Sequence, residues 1–179
     1  YTGSKNLADA SRQLVNSLFE EYGLVILDAD DRRLKKEFSE IIAKDITGQH
    51  SFRTITETNL KLAEKGIEAQ VNPREINFFY LLDGLRERIV FEEDLYRVLN
   101  TEISFSKEEL LTEIKDNPER FSPNVVMRPL YEEVILPNLA YIGGGAEIIY
   151  WLQLKQNFDY YGVDFPILLL RNSAIFASL

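Results

Sequence analysis

Three groups of residues in this sequence have types and spacing suited to chemistry. The first lies in "YIGGGAEIIYW", residues 141–151, where Gly143, Gly144 and Gly145 interrupt an apolar run and Glu147 and Trp151 follow one helical turn apart. Glycines lack Cβ atoms, so their N–H groups can approach a ligand, and a helix N-terminus behind them favours negative charge. No lysine with serine or threonine follows, and the spacing is not GxGxxG, so the stretch is neither a P-loop nor a dinucleotide fingerprint. Glu147 already occupies the favourable end of the helix dipole, which turns attention from phosphate toward an amine or sugar hydroxyls. The competing reading makes the glycines a steric turn and Trp151 a core residue.

The second group is Arg128 and Arg171, which with Lys155 are the only basic side chains from Ser122 onward. A guanidinium in such surroundings holds a carboxylate or phosphate, or closes an internal salt bridge with Glu132 or Glu147. The third is "DADD", with Asp28, Asp30 and Asp31. These acids read as a strand end followed by a helix cap more readily than as metal ligands. His50 is the sole histidine and there is no cysteine or GxSxG elbow, so neither a Ser-His-Asp triad nor a zinc site has support, and no metal is inferred. His50 reads as a loop residue.

The elements that must position these groups follow from pattern. Residues 5–22 place Leu7, Leu14, Leu18 and Phe19 on one helical face, and Gly23 ends that helix. The apolar run "LVILDA" (24–29) predicts a strand buried on both faces, and residues 30–46 an amphipathic helix with Asp30 as N-cap and Leu34, Phe38, Ile41 and Ile42 inward. Residues 51–66 read as a helix. The segments "IEAQV", "INFFYLL", "RERIVF" and "LYRVLN" read as an antiparallel meander, with Asp83 and Gly84 as a hairpin turn. Ser106 and Glu109 have capping-box spacing for a helix over 106–117. A helix is expected from Pro129, then strand 139–144, helix 146–162 and strand 165–170, a βαβ unit.

The expected fold is α/β: a Rossmann-like parallel sheet with an inserted antiparallel β-meander plus helices. Residues 1–48 and 122–179 would form the two parts of the core, and 49–121 the insertion. Open parallel sheets bind ligands beyond the carboxyl ends of their strands. Asp28 with Asp30 and Asp31, the three glycines with Glu147, and Arg171 would then share one rim.

Composition bounds the function. At 179 residues this is one domain, or one domain with a sizeable insertion. A net charge of -9 and pI near 4.8 argue against a nucleic-acid or anionic-membrane surface. The absence of cysteine fits a reducing cytoplasm, and no run is long enough for a membrane span. A start at Tyr1 without methionine suggests a piece of a longer protein.

The ordered series SPNV, RPL, LPNLAYIGGGAEIIYW and PILLLR, together with "EYGLVILDADD" and "AQVNPREINFFYL", resembles the bacillithiol-biosynthesis cysteine-adding enzymes, the BshC family. The resemblance spans essentially all of the chain and corresponds to the middle of a family member. It implies a cysteine ligase that joins cysteine to glucosaminyl-malate, with a core similar to class I aminoacyl-tRNA synthetases. It also implies a bound nucleotide (ATP or ADP), a nucleotide motif upstream, a coiled coil downstream and a homodimeric full-length protein. This segment alone would be inactive. By position it marks Asn124, Arg128, Gly143, Gly144, Glu147, Tyr150, Trp151 and Arg171 as substrate-binding residues, Gly145 belonging to the same turn. Two positions depart from it: Gly145, where proline is common, and Asn72, where histidine is expected. The alternative from another class is a non-catalytic α/β domain binding a metabolite or nucleotide.

Overall fold

The computed structural model describes residues 3–174. The chain divides into two compact units, residues 1–31 and 32–179. In the first, α1 (Leu7–Phe19) is capped by Asn6, whose side chain accepts the Asp9 N–H at 2.8 Å, and Gly23 closes the following 3-10 turn at φ 72°. The predicted apolar face exists, but Leu7, Leu14, Leu18 and Phe19 are all exposed. The predicted strand at 24–29 does not form: residues 24–28 have no ladder partner, and Leu24, Val25 and Leu27 are exposed. An apolar run becomes a strand only when a neighbour supplies hydrogen bonds, and no described strand does so here. Asp28 instead forms an ion pair with Arg12 and accepts the Asp30 N–H at 3.1 Å.

The second unit opens with α2 (Arg32–Gly48), which begins after Asp31 rather than after Asp30, and α3 (His50–Ala63). Phe38 and Ile42 are fully buried as predicted, with Leu34 and Ile41 packed beside them. His50 is not a loop residue but the first residue of α3, after Gln49 turns the chain at φ 52°. Its ring stacks on Tyr160 at 4.2 Å.

A five-stranded antiparallel sheet comes next, built from β1 (Phe78–Leu82), β2 (Leu85–Glu92), β3 (Leu95–Val98), β4 (Ser104–Phe105) and β5 (Phe121–Pro123), in the order β4-β3-β2-β1-β5. The meander was legible, but not all of it. "IEAQV" pairs with no strand, whereas β5, beyond α4 (Lys107–Asp116), returns to place Ser122 opposite Phe79. Asp83 and Gly84 make the tight turn between Leu82 and Leu85, with only Gly84 at positive φ. The next turn is the one with two left-handed residues, Glu93 (φ 52°) and Asp94 (φ 61°). The predicted capping box holds: Ser106 Oγ accepts the Glu109 N–H, and Glu109 accepts the Ser106 N–H at 2.8 Å. The core packs Phe38 against Phe78 and Tyr131, and Tyr80 against Phe121.

The last part carries α5 (Arg128–Ile135) and the predicted βαβ unit, formed by β6 (Ala140–Gly143), α6 (Gly145–Tyr161) and β7 (Ile167–Leu170). Strands β6 and β7 are parallel, with Gly143 opposite Leu170. Tyr141 packs on Trp151 with ring centroids 4.4 Å apart, so α6 covers one side of the pair. The strands are not buried on both faces, since Ile142, Ile167 and Leu169 are exposed. The fold is therefore α/β, but its parallel part is a pair of strands and its larger sheet is antiparallel. Helix α5 starts one residue before Pro129, because the chain is already wound from Asn124: the Arg128 N–H reaches the Asn124 carbonyl at 2.9 Å.

Candidate functional site

The three glycines play three different parts. A Cβ on Gly143 would lie 2.8 Å from the Tyr141 ring and 3.1 Å from Glu147 Cβ. On Gly144 it would meet Arg171 Nη2 at 3.3 Å and Glu147 Oε2 at 3.4 Å, whereas on Gly145 it would meet nothing. The run is therefore a close approach at its first two positions and an open helix start at its third. Glu147 bends back so that Oε2 accepts the Gly144 N–H at 2.6 Å, which is the glutamate half of a capping box. Gly144 has no side chain to supply the other half. Glu147 Oε1 lies 3.5 Å from the Tyr141 hydroxyl.

Arg171 follows β7 directly and donates its N–H to the Gly143 carbonyl at 2.8 Å, extending the ladder by one bond. Its guanidinium then lies over Gly144, beside Glu147. The parallel pair thus brings Gly143, Gly144, Glu147 and Arg171 to one rim. Asp28, Asp30 and Asp31 belong to the other unit and end no strand.

Tyr150, one turn beyond Glu147 on α6, donates its hydroxyl to the Val125 carbonyl at 2.5 Å. Burial pushes its phenol well above the usual range; Tyr141 adds to this and Arg128 opposes it. Arg128 is thereby an electrostatic neighbour of Tyr150 across the α5–α6 junction. Arg128 and Arg171 are both exposed, and neither forms an ion pair with Glu132, Glu147 or any other described carboxylate. Two uncommitted guanidiniums, Arg171 on the rim and Arg128 near Tyr150, can hold oxyanions.

Two of the sequence candidates are committed elsewhere. Trp151 is 1% exposed, packed on Tyr141, Phe158 and Phe165, and so shares no open wall with Glu147. Asn124 spends its amide on structure: Oδ1 accepts the Val126 N–H at 2.8 Å and Nδ2 donates to Asn77 Oδ1 at 3.0 Å. Behind Asn77 lies a buried relay that the sequence reading missed. Asn77 Nδ2 donates to Ser51 Oγ at 2.7 Å, Ser51 Oγ donates to Asp45 Oδ2 at 2.7 Å, and Tyr161 donates to Asp45 Oδ1 at 2.8 Å. Burial raises the Asp45 carboxyl above its usual range despite the hydrogen bonds it accepts, while burial and Arg53 hold His50 below its own.

This geometry can be set beside known proteins. Residues 1–172 match the family model described as "Bacillithiol biosynthesis BshC, N-terminal Rossmann-like domain". The chain belongs to the BshC family. It is 56% identical over 178 residues to a Flavobacterium johnsoniae protein named "Putative cysteine ligase BshC", covering 99% of this chain and 33% of that protein. Relatives of the same name in Flavobacterium psychrophilum (57% over 175 residues; 98% and 33%) and Salinibacter ruber (38% over 175 residues; 97% and 32%) match in the same way. The chain thus spans about a third of the length of the BshC relatives it matches. Among its described residues no helix is long and apolar enough to cross a membrane.

Proposed function

We propose that this chain is part of a ligase that forms an amide between the carboxyl group of cysteine and the amine of glucosaminyl-malate in bacillithiol biosynthesis. The observation that carries the reading is the rim on the parallel pair, where Gly144 is flanked by Glu147 and by an Arg171 with no carboxylate partner, in a member of the BshC family. Amide formation needs an amine placed beside an activated carboxyl and stabilisation of developing negative charge. Glu147 Oε1, left largely free by the cap, would receive the substrate amine. Arg171 and Arg128 would hold malate carboxylates. Tyr150 would brace the wall between them.

Activation of the carboxyl implies a nucleotide, ATP or ADP in the family resemblance. The start of α6 does not offer a phosphate cradle of free backbone N–H groups, because the Gly144 N–H is already taken by the Glu147 carboxylate. Nucleotide chemistry is therefore assigned to no residue of this chain. The same proposal includes two core pieces flanking an insertion, a cytoplasmic homodimer when full length, and no activity from this segment alone.

The test is Glu147→Gln in the full-length protein. The glutamine carbonyl can still accept the Gly144 N–H, so the fold should hold while product formation falls at least about tenfold with the loss of a charged hydrogen bond. Normal product formation by that variant would overturn the role of Glu147.

A further inference from the structure

Residues 67–77 connect α3 to β1 without forming a helix or strand, yet side chains clamp them at two places. At the first, Gln153 of α6 is fully buried. Its Oε1 accepts the N–H of Gln70 at 2.7 Å and of Val71 at 3.3 Å, while its Nε2 donates to the Val71 carbonyl at 3.1 Å. Nε2 also donates to Asn59 of α3, which in turn donates to the same Val71 carbonyl at 3.0 Å. At the second clamp, fully buried Asn77 accepts the Arg74 N–H at 3.0 Å and donates to the Arg74 carbonyl at 2.7 Å. Ser51 and Asp45 stand behind it, both fully buried.

A connection does not need this. Burying amides and a carboxylate is unfavourable unless every group is satisfied, and surface loops are ordinarily left mobile. What the clamps hold out to solvent between them is Asn72, Arg74 and Glu75, all exposed, and Glu75 forms no ion pair with Arg74. The Arg74 guanidinium takes no hydrogen bond or ion pair among the described residues, whereas Arg12, Arg32, Arg97 and Arg120 each pair with a carboxylate. A rigid backbone presenting an uncommitted guanidinium is how binding sites limit the entropy lost on capture.

Both clamps belong to the framework of the rim. Gln153 lies three residues beyond Tyr150 on α6 and so on a neighbouring part of the same face. Asn77 bonds Asn124, whose turn carries the Val125 carbonyl that receives Tyr150 and then leads into Arg128. We propose that residues 71–77 form a second wall of the candidate site and that Arg74 holds a carboxylate of the acceptor substrate there. The inference rests on the ligase reading and deepens it: the acceptor is gripped from the inserted segment as well as from the rim.

The experiment uses the full-length protein and calorimetric binding of three probes, glucosaminyl-malate, L-cysteine and ATP, with melting temperature measured alongside. Arg74→Ala should weaken glucosaminyl-malate about ten- to a hundredfold, leave ATP unchanged and not alter the melting temperature, as expected for an exposed charged contact. Arg74→Lys should recover part of the loss, because it restores the charge without the planar fork. Unchanged glucosaminyl-malate binding, or a loss confined to ATP or cysteine, would overturn the assignment of Arg74 while leaving the ligase reading in place. A wild-type protein that binds none of the probes would overturn the ligase reading itself, and this one with it.

Discussion

Asn124 donates its side-chain amide to Asn77 Oδ1 at 3.0 Å, and its backbone N–H donates to the Asn77 carbonyl at 3.0 Å. Residues 47 apart in sequence are thus joined by both side chain and main chain, and the turn that launches α5 hangs from the strand entrance of β1.

Asn77→Ala would strand the polar groups of Arg74, Ser51 and Asn124 at once. Leaving buried groups unsatisfied costs about 1–3 kcal/mol each before relaxation, so a total loss of about 3 kcal/mol is expected. Urea unfolding measures it. A loss below about 1 kcal/mol would show that water replaces the amide.

The glycines should respond in order. Gly143→Ala forces a methyl group against a Tyr141 ring already stacked on Trp151, and should cost about 1–3 kcal/mol. Gly144→Ala meets only the mobile ends of Arg171 and Glu147, so the fold should tolerate it while Arg171 moves. Gly145→Pro occupies the first helical position, where a fixed φ is favourable and no Cβ contact stands in the way, and should stabilise by about 0.5–1 kcal/mol. Melting temperatures of the three variants check the order; equal effects would contradict it.

Asp45 makes stability depend on pH in an unusual direction for an acid. Its folded pKa lies above the unfolded value of about 3.9, so between the two the native state keeps a proton that the unfolded chain has lost. Its contribution is full below that unfolded value and declines as pH rises through the folded one. Urea midpoints of wild type relative to Asp45→Asn should therefore fall from pH 4 upward. A difference that rises with pH would refute it.

His50 titrates in the opposite sense. Arg53 donates to Nδ1 at 2.9 Å, so the neutral ring carries its proton on Nε2, beside the Tyr160 hydroxyl at 2.7 Å. With the folded pKa depressed, the stabilisation is full above about 6.5 and is lost as pH falls through the folded value. As the only histidine, it gives a single set of imidazole NMR signals. Their midpoint should fall below 6.5, with the Nε2–H tautomer at neutral pH.

What the sequence revealed was local. Ser106 and Glu109, the turn at Gly84 and the βαβ order depend on residues near one another, and each was legible. The strand expected at 24–29 failed because strand formation is decided by a partner, which no run of residues carries within itself. Asp94 is a turn former by type but Glu93 is not, and their left-handed pair follows from the two strands they join. The relay from Asp45 through Ser51 to Asn77 crosses 32 positions of chain, and its members look like ordinary surface polar residues until folding buries them. Of the rim, Glu147 and Arg171 were found together because one opens the helix after a predicted strand and the other ends the next strand; the core reading of Trp151 was legible from its apolar surroundings, whereas the structural commitment of Asn124 was not.

Gln153 gives residues 70 and 71 what an adjacent strand would give, an acceptor and a donor at the spacing of a peptide group. One α-helix therefore carries the latch for the loop and, three residues earlier, the Tyr150 strut to Val125. Inserting a single residue into α6 before Tyr150 would swing both by about 100°. The two walls would come apart in the same movement, like jaws sharing one hinge pin.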